Sequence, residues 1–280
     1  VHSDITADPQ IRLAVAQTTP RHDPFDIEGF EAAAREIREL MRRARSGGAD
    51  IIQFPEAALC FPDKRSLSNR APDLGEADWS AYPWDALNTA LAGIRSAARQ
   101  LALSVVIGAQ TRNEAGRPST SILAIDEHGR DVVRYDERRL SRSKAAYLYE
   151  QGDRPATFTK NGVTFGIASG LEVLFEDIFV GYEDLGVDVV LFSTQGPGDP
   201  AEAETLSSSA RVAARHQGFA IGYSVPTSNA PVSPAGIISA TGGWIATCDR
   251  EERPDLVISS VGARPENGAR DWRRSMIGAN

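Results

Sequence analysis

The chain has 280 residues, 41% hydrophobic and 24% charged, with a formal net charge of −8, enough for one large α/β domain or two small ones around a sizeable core. The acidic balance, with no basic cluster longer than Arg42-Arg43 or Arg138-Arg139, argues against nucleic acid, and the lack of a bilayer-length apolar run or a leader argues against a membrane and for the cytoplasm. Cys60 and Cys248 are too few for a disulfide framework and lack zinc-ligand spacing, so neither metal nor cofactor is expected.

Residues 1–10 read as a flexible arm. Ile11, Leu13 and Val15 then alternate with smaller or polar residues as a strand. From Phe30 the period turns helical, with Ala33, Ala34, Ile37, Leu40, Met41 and Ala44 on one face and Gly47-Gly48 closing it. A second strand, Ala49 to Phe54, ends in Pro55-Glu56. Residues 62–83 lack a period and are rich in Pro, Asp and Ser, which predicts a long loop of the kind that serves as a binding lid. Helical spacing returns from Trp84 to Gln100. Strands are expected at 105–108, 121–125, 132–135, 187–192, 219–223, 236–238, 244–246 and 256–258, and a helix from Ala201 to His216.

The stretch from Gly162 to Asp177 is the centre of the pattern. Val163, Phe165, Ile167 and Ala168 read as a buried strand, Ser169-Gly170 as a sharp turn, and Glu172 onward as an acidic helix. A strand–turn–helix of this kind commonly presents a nucleophile, yet the turn carries no cysteine.

The order of motifs resembles the nitrilase, or carbon–nitrogen hydrolase, superfamily. The pieces are Phe54-Pro55-Glu56, Tyr135 through Leu140, Gly166 through Phe175, Gly186-Val187-Asp188 before Ser193, and Gly236-Ile237-Ile238 before Thr241-Gly242. The resemblance spans about Ile11 to Val261 and implies one α/β domain over 11–262, a four-layer α-β-β-α sandwich, with 263–280 as a tail. It also implies a Glu-Lys-Cys catalytic set: a general base, an oxyanion-stabilising cation and a covalent nucleophile. Glu56 falls at the base, Glu137 at the lysine and Gly170 at the cysteine. A further family glutamate has its place near Lys144 to Ala146, where no carboxylate stands. Tyr147, Leu171, Glu172, Ser193 and Thr194 are expected to line the pocket, with Trp84 and Tyr149 as further aromatic candidates. The resemblance also implies pairing of two copies through Leu174 to Glu183.

Each residue has a plainer reading beside this one. Glu137 either faces Arg138 or Arg139 at the surface, or turns inward to meet Glu56, where two carboxylates resist joint ionisation. Gly170 suits a strained turn, and its missing side chain is expected to leave a small void. Ser169 reads as a buried or hydrogen-bonded strand residue, Cys60 and Cys248 as apolar filler, and His216 as a surface group. Three functions follow: a pseudoenzyme binding a small carboxylate or amide or supporting a partner, an enzyme with non-covalent acid–base chemistry at Glu56 and Glu137, or an amidase in an inactive form.

Overall fold

The computed structural model describes residues 9–264 and 268–277. Two six-stranded sheets pack face to face with helices outside, the α-β-β-α sandwich expected from the sequence. The first sheet has the order β12-β1-β2-β3-β4-β5, with β1 Gln10–Gln17, β2 Ile51–Gln53, β3 Ser104–Thr111, β4 Ser119–Ile125, β5 Asp131–Asp136 and β12 Asp255–Gly262. The second has the order β11-β10-β9-β8-β7-β6, with β6 Thr157–Lys160, β7 Val163–Ser169, β8 Val189–Ser193, β9 Ala220–Ser224, β10 Gly236–Ile238 and β11 Trp244–Thr247.

Strand β1 shows how sequence divides the layers. Ile11, Leu13 and Val15 join the core shared with the second sheet, while Ala14 and Ala16 join the core beneath the helices, as the two-residue side-chain period requires. Small residues on the helix side let α1 (Ile27–Ser46) and α2 (Trp84–Leu101) approach closely. Asp26 caps α1 by accepting from the Gly29 N–H at 2.9 Å. The α1 stripe Phe30, Ile37, Leu40 and Met41 and the α2 stripe Leu87, Leu91 and Ile94 are all buried, each large side chain contributing roughly 1.5–3 kcal/mol. On the other sheet lie α3 (Glu176–Asp184) and α4 (Ala203–Gln217).

The structure departs from the sequence reading in several places. Glu172 does not begin the acidic helix: residues 172–174 form a single 3-10 turn and α3 starts only at Glu176. The edge strand β6 was not expected, its polar alternation being hard to tell from a loop. The C-terminal tail contains a helix, α5 (Gly268–Ile277). The N-terminal arm, apart from Pro9 and Gln10, lies outside the described residues, and Gln10 already belongs to β1. Among the described residues no helix is long and apolar enough to cross a membrane.

Strands β1, β2 and β3 run parallel in one sheet and β7, β8 and β9 in the other. At one end buried polar groups stitch the sheets together. Gln53 donates to the Phe192 carbonyl at 2.9 Å and Ser193 Oγ at 3.1 Å; Ser193 Oγ donates to the Phe54 carbonyl at 2.9 Å. Ligand sites of α/β sheets gather beyond such carboxyl ends of parallel strands.

Candidate functional site

Glu56 leaves β2 through Phe54-Pro55 and is 1% exposed. The next residue, Ala57, has φ of +43°, so the chain turns sharply and passes over β3. Gly108 permits this: a Cβ there would lie 2.2 Å from the Ala57 nitrogen and 2.6 Å from the Glu56 Cα. Gln195, beyond β8, holds the glutamate from the other sheet, its N–H donating to Glu56 Oε2 at 3.2 Å and its side-chain amide to the Glu56 carbonyl.

Glu137 follows β5 and turns inward, 1% exposed, which settles its two sequence-level orientations. Its backbone is fixed by Thr120 and Gly152: the Glu137 N–H donates to the Thr120 carbonyl at 3.1 Å, and the Gly152 N–H donates to the Glu137 carbonyl at 3.0 Å. The two carboxylates do not meet bare. Lys144 stands between them, its ammonium donating to Glu56 Oε1 and, at 2.7 Å, to Glu137 Oε2. Burial works against the ammonium, but Glu137 and Glu56 outweigh it and hold Lys144 charged. Burial pushes the Glu137 carboxyl up to about 8, with Lys144 opposing and Glu56 and Glu172 adding to the rise.

Sequence reasoning missed Lys144 as a site residue. It opens Lys144–Leu148, one wide π turn closed by the Tyr149 N–H donating to the Lys144 carbonyl at 3.0 Å. Such turns have no hydrophobic period, though they occur often at functional sites. The site thus has a cation, Lys144, supplied by a different element from the one that carries Glu137.

Gly170 follows β7 with φ of +63°, a conformation other residues rarely adopt. The expected void beside it is absent. A Cβ at this position would lie 2.1 Å from Glu137 Oε1 and 2.6 Å from its Cδ, so the Glu137 carboxylate already fills that space. Oε1 itself is buried with no hydrogen-bond partner. Glu56, Glu137, Lys144 and Gly170 thus form one cluster.

Glu172 is not a group lining an open pocket but a fully buried clamp. It accepts from Tyr135 Oη at 2.6 Å, the Arg138 and Arg139 N–H groups at 2.5 and 3.2 Å, and the Ser169 N–H at 2.8 Å. Burial raises its carboxyl and these donors oppose the rise. Its effect is to lock the Glu137 loop to the Gly170 turn. Ser193 is committed to the bonds between sheets, and Thr194 Oγ1 accepts from the Gly196 N–H at 3.0 Å. Leu171 is half-buried beside the turn. Tyr147 is exposed, its carbonyl accepting from the Ala77 N–H at 3.0 Å. Tyr149 is buried within ring distance of Trp79 at 5.3 Å, and Trp84 packs on the same Trp79 at 5.9 Å. The 62–83 segment does lie over the wide turn: Trp79 Nε1 donates to the Leu148 carbonyl at 2.8 Å and Lys64 to Ser143 Oγ at 2.7 Å.

No accessible thiol offers itself. Cys60 and Cys248 are buried, and burial pushes the Cys60 thiol up to about 12, with Asp23 and Asp26 adding to it. Burial raises the Cys248 thiol likewise, with Asp255 and Asp249 contributing. Ser169 Oγ is buried without a partner, and His216 is exposed on α4.

This fold and the position of the cluster define a nitrilase-type sandwich. Residues 12–261 match the carbon-nitrogen hydrolase family model, and the chain belongs to that family. No curated protein sequence matches it. Among solved structures it is similar to a mutant of the Nesterenkonia AN1 amidase from the nitrilase superfamily, with a TM-score of 0.74, 16% identity, and coverage of 99% of this chain and 98% of the amidase. A second mutant of that amidase gives a TM-score of 0.74, 17% identity and the same coverage. The glutamine-dependent NAD+ synthetase from Acinetobacter baumannii gives 0.73 and 15% identity over 92% of this chain and 48% of the synthetase. At these identities the likeness speaks to fold alone.

Proposed function

We propose that this family member does not carry out cysteine-dependent amide or nitrile hydrolysis and acts as a pseudoenzyme, binding a small carboxylate or amide ligand or supporting a partner. The observation that carries the reading is the Glu137 carboxylate standing where a side chain at position 170 would project. A second amidase mutant among the similar structures shows covalent addition of the acetamide moiety of fluoroacetamide at its active-site cysteine. The corresponding turn of this chain offers no thiol for that bond. Without a nucleophile, binding and electrostatics leave roughly 10³ to 10⁴-fold acceleration over water. Lys144, already bound by two carboxylates, is a poor donor to a new oxyanion.

Intact mass spectrometry after incubation with fluoroacetamide or an activated ester tests this. No stoichiometric adduct is expected, and iodoacetamide should label Cys60 or Cys248 only slowly. An acyl adduct mapped to Ser169 or Cys60 would overturn the reading.

A second reading, acid–base chemistry without a covalent intermediate, is favoured by the Glu137 carboxyl raised to about 8, close to the working range of a general acid. It requires turnover of a small molecule that Glu137→Gln abolishes. The partner we propose is a second copy of the chain, seated on the α3–α4 face. Leu174 and Val212 are exposed there and line a groove of about 810 Å³, and Phe175 and Val180 are exposed on the same segment as Leu174; a strict monomer by sedimentation at micromolar concentration would refute it. Two buried free thiols suit a reducing cytoplasm.

A further inference from the structure

The chain contains three lysines, at positions 64, 144 and 160. Lys144 is bound by Glu56 and Glu137, and Lys160 by Glu127 at 2.8 Å. Among the described residues Lys64 alone of the three has no carboxylate within ion-pair distance. Its ammonium donates instead to the neutral Ser143 Oγ at 2.7 Å, one residue before the fully charged Lys144. The segment bearing Lys64 also lays Phe61 under Lys144, with the ammonium 5.4 Å from the ring centroid. Lys64 is half-buried, so it is reachable from solvent where Lys144 is sealed.

We propose that Lys64 is a reactive amine at the rim of the buried cluster, able to form an imine with a small aldehyde or ketone. A half-buried amine beside a second cation, with no anion bound to it, is the environment that keeps a lysine neutral and nucleophilic. The charged groups acting on it are Lys144 and Arg65, which disfavour its protonation, and Glu56 and Asp63, which favour it. Burial is the largest influence, and the balance lowers its pKa. The neutral Nζ lone pair attacks the carbonyl carbon, and the carbonyl oxygen takes up a proton to give a carbinolamine. Loss of that hydroxyl with one proton as water leaves the C=N bond, so one amine and one carbonyl compound yield one imine and one water. The Ser143 hydroxyl is placed to pass the proton.

The test treats the whole folded protein with acetaldehyde and sodium cyanoborohydride at neutral pH and maps the ethylated lysines by peptide mass spectrometry. The same labelling in denaturant provides each lysine's unfolded rate. Lys64 should react several-fold faster than Lys160, and faster in the folded than in the unfolded chain. Steric cover of the amine slows it, so a folded-over-unfolded ratio above one requires an environment that favours the neutral, nucleophilic form. Lys64→Arg should abolish the fast adduct, and Lys144→Met should reduce the advantage of Lys64. If that variant does not fold, the ratio in the unaltered protein still decides. Labelling of Lys64 no faster than Lys160, or slower folded than unfolded, overturns the proposal. The outcome is independent of whether Gly170 stands at a lost nucleophile position.

Discussion

Replacing Lys144 by methionine tests the charge logic of the cluster most directly. The ammonium is the shared partner of Glu56 and Glu137, all three being buried. With it removed, the carboxylates escape an unpaired buried charge by taking up a proton. For glutamate, with an ordinary pKa of about 4.5, that costs about 1.36 kcal/mol per unit up to pH 7, or about 3.4 kcal/mol. One proton taken up by the pair relieves the repulsion between two sealed carboxylates, so this cost is counted once. Lost hydrogen bonds to the ammonium add roughly 1 kcal/mol. The expected destabilisation is therefore about 3–5 kcal/mol at pH 7, in the range for breaking a buried pair by removing one partner. Near pH 5 protonation becomes cheap, and the loss should shrink to roughly 1–2 kcal/mol. Urea unfolding of both proteins at the two pH values measures this. A loss under about 1 kcal/mol at neutral pH, or one unchanged between the two, would refute the charge assignment.

Three further outcomes are expected. Because the Glu137 pKa is raised on folding, the folded state holds its proton more tightly. This contribution to stability is whole below about pH 4.5 and drains away as pH rises to about 8; a wild-type urea midpoint that climbs steadily across this window contradicts it. Gly170→Ala should destabilise by more than the roughly 1–2 kcal/mol of a left-handed residue, since its Cβ also displaces the Glu137 carboxylate; a loss below about 0.5 kcal/mol would show that Glu137 moves aside freely. The triple variant Gly170→Cys, Glu137→Lys, Lys144→Glu should label with iodoacetamide at position 170, and faster than the variant with only the first two changes. The latter sets two ammoniums against Glu56 alone, and equal labelling would show that the swap at position 144 does not matter.

Much of this was legible because it is local. Alternation in β1 and the helical stripes of α1 and α2 are dictated by which face meets a core, and the family resemblance of the motifs brought Glu56, Glu137 and Gly170 into one expected site. What was not legible lives in contacts between distant elements. The lysine joins Glu56 across 88 residues and Glu137 across seven, from a wide turn whose Ser-Lys-Ala-Ala-Tyr run has no period to flag it. The four backbone and side-chain donors of Glu172 are likewise invisible until β5 and β7 pack. Read along the chain, the resemblance shows two separate departures: an acid at position 137 where a lysine is expected, and no acid near position 144. In space the two positions meet, with Glu137 and Lys144 ion-paired beside Glu56. The cluster holds two acidic side chains and one ammonium, with Gly170 packed against the Glu137 carboxyl. Burial explains why the two residues belong together. An acid at position 137 with no lysine at 144 would leave two sealed carboxylates unneutralised, a penalty that falls on folding whether or not the site has any chemistry to perform.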